Sequence, residues 1–234
     1  MFLQRNKPNS TSKPHWFQHN YYIMQKTLLF LSLFFLPLLL FAQPRFRAGA
    51  VAGLTASQID GDLSAGYNKL GFQGGLRVTG RLKERTELSM EFLFSQRGCQ
   101  NELIPRDFDP NPFALTLNYV EVPVQWHFKD WFIEYDEEKY NYYKVSFNIG
   151  LSYARLISSK VDDDFNWLNG VAPEYLKKND LGIVLGANFF ANRHLGFTVR
   201  WNRSLLLMYD SRTSPRGGKS WNSHCLNFQT VYMF

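Results

Sequence analysis

The sequence has no apolar run long enough to form a membrane-spanning helix. The longest, residues 28–42, holds 15 apolar or near-apolar residues with Pro37 among them, whereas a spanning helix needs about 18–20. After Gln43 no continuously apolar segment exceeds about 8 residues. Cysteine is scarce, with only Cys99 and Cys225, so no Cys-x-x-Cys motif exists. Walker, Gly-x-Ser-x-Gly and His-Glu-x-x-His patterns are also missing, which removes the chemistry that such motifs carry. Charged residues, at 20%, fall a little below the usual quarter, and the composition excludes disorder, collagen and coiled coil. The body of the chain lacks a surplus of one charge. Residues 43–234 carry 22 Lys and Arg against 20 Asp and Glu, and the other four cations, Arg5, Lys7, Lys13 and Lys26, lie in 1–42, which has no acid. The basic character belongs to the leader, so no nucleic-acid partner is expected.

Lys26, the apolar stretch 28–42 and the small Ala42 at its end have the order of a secretory signal peptide. Residues 24–42 are therefore expected to be the signal, with Met24 as the start. The polar stretch 1–23, with Pro8 and Pro14, shows no helix or strand period and is expected to be an over-extended N-terminus. The alternative, a single anchoring helix with a cytosolic tail, is disfavoured by the short apolar core. No cysteine follows the leader to carry a lipid.

What dominates residues 43–234 is a period of two. The last strand shows it most cleanly, with Leu226, Phe228, Thr230, Tyr232 and Phe234 on one face and Cys225, Asn227, Gln229, Val231 and Met233 on the other. Seven more segments alternate: 47–57, 70–80, 86–97, 115–128, 143–156, 180–191 and 195–209. In 86–97, for example, Leu88, Met90, Phe92 and Phe94 oppose Glu87, Ser89, Glu91, Ser95 and Arg97. Globular strands average about 5–6 residues, whereas tilted membrane strands need about 9–11. Eight alternating segments of this length predict an all-β fold, an eight-stranded antiparallel up-and-down transmembrane barrel, closed because lipid tolerates no unpaired edge. Outer connections are expected at 58–69, 98–114, 157–179 and 210–220, and inner ones at 81–85, 129–142 and 192–194. Long outside and short inside is the usual asymmetry, with both termini periplasmic. The 129–142 segment is too long for an inner turn and reads as a hairpin extension, since Trp131, Ile133 and Tyr135 continue the alternation.

In this register Arg77, Glu87, Glu91, Arg97, Glu121, His127, Lys144 and Arg200 face the lumen. An eight-stranded barrel is just wide enough for side chains to fill it. Buried charges must pair, so an ion-pair network plugging the lumen is expected rather than an ion path. Catalysis has little to stand on. His194 lies in a short turn, and Ser223, His224 and Asp210 are near only in sequence, which is not triad geometry. Asp162-Asp163-Asp164 lacks the alternating ligand spacing of a calcium loop and reads as a solvated loop. A Cys99–Cys225 disulfide would need the 98–114 connection to fold inward. Aromatic girdles are expected from Trp126, Phe128, Tyr142, Tyr143, Phe189, Tyr232 and Phe234 at the inner strand ends, and from Phe108, Phe113, Tyr209 and Trp221 at the outer ends. The closing strand, through Leu226, Phe228, Tyr232 and Phe234, is also expected to be an assembly element, recognised by the outer-membrane assembly machinery.

Tyr119-Val120-Glu121-Val122-Pro123-Val124 resembles the Tyr-Leu-Glu-Ile-Pro-Leu stretch of PorT-like outer-membrane barrels of Bacteroidetes. Gly49-Ala50-Val51-Ala52-Gly53-Leu54 resembles their Gly-x-x-x-Gly-Leu first strand, and the Phe-Ala-Gln leader end is similar too. The resemblance covers about 43–234 and implies an outer-membrane barrel. The name-bearing member takes part in type IX secretion, and no motif in this sequence ties the chain to that role. The expected function is structural or interaction-based, with no cofactor and no metal. Outer-membrane lipid is one partner, and a protein could bind through the outer loops or the 129–142 hairpin. Three alternatives stay open: a secretion or outer-membrane assembly component, a small lipid-modifying enzyme, and a soluble lipocalin-like carrier. The last would need its apolar faces inward.

Overall fold

The computed structural model describes residues 46–61, 66–100, 113–137, 141–163, 175–212 and 219–234. The leader, Phe108 and Asp164 lie outside the described residues. Eight strands follow one another: β1 (Phe46–Asp60), β2 (Lys69–Lys83), β3 (Thr86–Gln100), β4 (Phe113–Ile133), β5 (Tyr142–Asp163), β6 (Asn179–Phe190), β7 (Leu195–Ser204) and β8 (Asn222–Met233). Each pairs antiparallel with the next, and β1 pairs with β8 from Gly49↔Met233 to Asp60↔Asn222, which closes the barrel. Closure leaves no open strand edge in the ring. The β2–β3, β4–β5 and β6–β7 connections share one end, here the turn end; the other four connections define the loop end.

The alternation of the sequence becomes an inside-out molecule. Phe72, Phe92, Ile149, Leu185, Val199 and Phe228 are exposed on the outer wall, while Gln73, Glu91, Glu121, Asn148, Arg200 and Gln229 are buried within. A soluble lipocalin-like carrier requires the opposite arrangement, so the exposed apolar wall rules against that alternative.

Two irregularities redirect the longest hairpin. The β4–β5 register shifts by one residue, because Asn118 faces Ser158 while Tyr119 faces Leu156. Ile157 is left over as a bulge, and past it β5 continues to Asp163 rather than ending near 156 as the sequence suggested. The bulge swaps the faces, so Leu156 and Val161 both pack on the interior. At the turn end, β4 and β5 run on to Ile133↔Tyr142. The expected hairpin extension is there, but its alternation does not continue through Trp131. That residue has φ 54°, the sole positive φ on a non-glycine among the described residues. Lys129 and Tyr143 both line the interior, and Phe132 packs on Tyr143 with ring centroids 5.0 Å apart. Phe132 pairs with Tyr143 and so shares the face of Lys129, although it is itself 47% exposed at the rim; Asp130 and Trp131, the two residues passed over, are exposed too.

Candidate functional site

The barrel interior is layered from the turn end to the loop end. At the turn end Lys129 Nζ lies 2.6 Å from Glu87 Oε1. Above this pair is a cavity of about 40 Å³ bordered by Arg47, Arg77, His127, Tyr143 and Ser146, room for a water molecule or little more. His127 Nε2 and Ser89 Oγ share a hydrogen at 2.7 Å.

The next layer centres on Glu91. Its Oε1 accepts from Arg77 Nε at 2.6 Å, and its two oxygens accept from Arg200 Nη1 and Nη2 at 2.8 and 2.9 Å. Arg77 is on β2, Glu91 on β3 and Arg200 on β7, so the bidentate arm spans the lumen. The third layer centres on Glu121, which pairs with Arg97 and accepts from Ser152 Oγ at 2.6 Å, Asn202 Nδ2 at 2.8 Å and Gln73 Nε2 at 3.2 Å. Arg97 also lies 3.3 Å from Asp180, whose carboxylate accepts from Ser204 Oγ at 2.8 Å. Three buried guanidiniums thus face three carboxylates, a balance that buried charge requires.

The loop-end layer is apolar. Ile59, Phe113, Leu115, Leu117, Tyr119, Tyr209 and Trp221 form one buried cluster with Cys99 and Met208. Strand β3 reaches it by leaning across β2, because Gly98 N donates to Ser57 Oγ at 2.9 Å and Ser57 Oγ donates to Gly98 O at 3.0 Å. Gly71 on β2 permits this close approach, since a β-carbon there would stand 2.1 Å from Gln96 O.

Several expected positions change. Phe113, Tyr209 and Trp221 do not form an outer girdle, being 4%, 1% and 4% exposed inside the barrel. Lys144 does not join the lumen ions. The phase jump in the hairpin turns it to the outer wall, with Nζ 4.6 Å from the Trp131 ring centroid and 5.4 Å from that of Phe189. Its place as the fourth cation is taken by Lys129, and the missing carboxylate is Asp180. Both were readable by extending the inward phase, one step from His127 and one step back from Gly182. Cys99 and Cys225 are both buried, and no disulfide joins them. Ser223, His224 and Asp210 form no triad: Ser223 is buried, His224 Nδ1 lies 3.5 Å from Asp60, and Asp210 lies 3.8 Å from Lys177. Among the described residues no cluster of three or more His, Cys, Asp or Glu is placed to hold a metal ion.

A closed eight-stranded barrel with charge inside and a hydrocarbon-like outer wall is the construction of an outer-membrane protein. The family model for the outer membrane protein beta-barrel domain matches residues 41–208, and the chain belongs to this family. The fold and family place it in the outer membrane. Similar solved structures include Ail, the attachment invasion locus protein of Yersinia pestis, at 13% identity, covering 81% of this chain and 99% of that one with a TM-score of 0.44. Neisserial surface protein A matches at 12% identity over 81% and 97%, with a TM-score of 0.39. OprG from Pseudomonas aeruginosa matches at 10% identity over 81% and 94%, with a TM-score of 0.39. No curated protein matches the chain.

Proposed function

We propose that this protein is a structural or interaction barrel whose lumen is closed to solutes, with no catalytic centre and no cofactor. Its termini and turn end face the periplasm and its loop end faces outside, after removal of 24–42 as a signal peptide. Residues 1–23 belong to no domain, and 43–234 are the barrel. Partners bind at the outer loops or at the tip of the turn-end hairpin, where Tyr135 and Tyr142 stack at 6.4 Å. The finer placement among PorT-like barrels of Bacteroidetes rests on the 119–124 and 49–54 stretches, and a secretion accessory is the interaction role that placement favours.

The observation that carries the closed lumen is the Arg77–Glu91–Arg200 bridge, roofed by the apolar layer around Tyr209 and Trp221. A water-filled path would have to break both. Planar-bilayer recording tests this directly. Inserted protein should give no open-channel steps, and a steady conductance like that of a water-filled pore would refute the closed lumen.

A further inference from the structure

The turn-end hairpin carries a cation that the interior leaves out. Lys144 stands between two aromatic rings, Trp131 on one neighbouring strand and Phe189 on the other. It makes no ion pair among the described residues, although the exposed Asp130 adjoins Trp131 in sequence. Trp131 is 57% exposed and its backbone is held at φ 54°, an outlier conformation for a bulky residue that costs energy to keep. The hairpin is fixed against the barrel rim by Tyr142 Oη, which donates to Ala191 O at 3.0 Å.

The position of this cation matters. Phe147, Phe197 and Phe128, each about half exposed, continue the outer apolar wall next to Phe189 toward the loop end. On the other side lie the polar turn residues Asn192 and Arg193. The ammonium therefore stands at the border between hydrocarbon and water, the depth of phospholipid phosphates. A lysine there without a carboxylate partner has an anionic oxygen as its natural complement.

We propose that Lys144, framed by Trp131 and Phe189, binds the phosphodiester of a phospholipid in the leaflet at the turn end. The ammonium donates to the phosphate oxygens, the rings cover the glycerol and first acyl carbons, and the positive φ of Trp131 keeps its ring on the outer wall. The inference rests on the barrel standing in a bilayer.

The test uses the full chain, extracted from expressing cells and placed in nanodiscs containing phosphatidylglycerol. Native mass spectrometry then reads the lipid that stays bound on release. Wild type and Lys144→Arg should keep a bound phosphatidylglycerol. Lys144→Gln should lose about fivefold of that population, the size expected for one surface cation. Trp131→Ala should lower it too, and Lys160→Gln, an exposed lysine at the loop end, should leave it unchanged. Millimolar inorganic phosphate should not displace the lipid, and displacement would overturn the lipid as occupant. Equal retention by wild type and Lys144→Gln would overturn the site. Failure of every variant to insert into nanodiscs would instead refute the membrane reading itself.

Discussion

Arg200 on β7 reaches across the barrel to place two guanidinium nitrogens 2.8 and 2.9 Å from the two carboxylate oxygens of Glu91 on β3. Both side chains are almost completely buried. Two strands that are not neighbours in the wall are thereby tied through the lumen, and the tie is strongest where water is excluded.

Removing one partner of this pair should be expensive. Glu91→Leu leaves both Arg77 and Arg200 without their carboxylate, and breaking a buried pair costs about 3–5 kcal/mol. Arg200→Met leaves Glu91 with Arg77 and should cost less. Urea unfolding in lipid vesicles, read as a double-mutant cycle, should give a clear positive coupling between positions 91 and 200. Additive effects would show that the two do not interact.

The two faces of β3 should respond oppositely to charge. Phe92 is 63% exposed on the outer wall and Leu93 is fully buried beside it. Arginine at a lipid-facing site near the bilayer midplane costs about 2–4 kcal/mol. Phe92→Arg should therefore lower the vesicle unfolding midpoint, and Phe92→Leu should barely change it. A Phe92→Arg variant as stable as wild type would mean that this face does not meet lipid.

The inward lean of β3 depends on Ser57 and Gly71. Ser57→Ala leaves the buried Gly98 N–H without its acceptor, a loss of about 1–3 kcal/mol. Gly71→Val sets side-chain atoms against the Gln96 carbonyl, and overpacking of this kind costs about 1–3 kcal/mol. Either variant should increase labelling of Cys99 by a small thiol reagent added from outside. Unchanged stability with unchanged labelling would show that β3 does not need these contacts.

The strands were legible because a sheet with one face in lipid and one in a polar core writes its period directly into the sequence. Glu91, Arg97, Glu121 and Arg200 all kept the inward phase that alternation assigned to them. The departures share one physical cause: a local break in phase cannot be seen in a period-two pattern. Ile157 as a bulge and Trp131 in the left-handed region each reverse the faces of the residues that follow. The pattern therefore lost β5 beyond 156 and put Lys144 on the wrong side of the wall. Composition also failed to separate two uses of an aromatic ring. Tyr209 and Trp221 suit an outer girdle as well as an internal apolar layer, and only the three-dimensional path of the connection between β7 and β8 distinguishes them. Pairing partners were unreadable for a related reason. Which cation meets Glu91 depends on the stagger between strands, and a sequence does not display stagger.

The closing strand gives a further prediction. Deleting Tyr232–Phe234 removes the Ala50↔Tyr232 and Gly49↔Met233 pairs that begin the β1–β8 seam. It should lower the outer-membrane level of the protein far more than deleting three residues from the 101–112 connection, with quantitative blotting of membrane fractions as the readout. Equal tolerance of the two deletions would argue that the seam is not needed for assembly.

Closure itself is tested most directly by gel migration. A barrel whose backbone groups are all paired within the ring resists SDS until it is boiled. Protein extracted from outer membranes and left unboiled should run at a different apparent mass from the same sample after boiling. Identical migration of the two samples, with the protein shown to be folded before SDS was added, would contradict a closed transmembrane barrel.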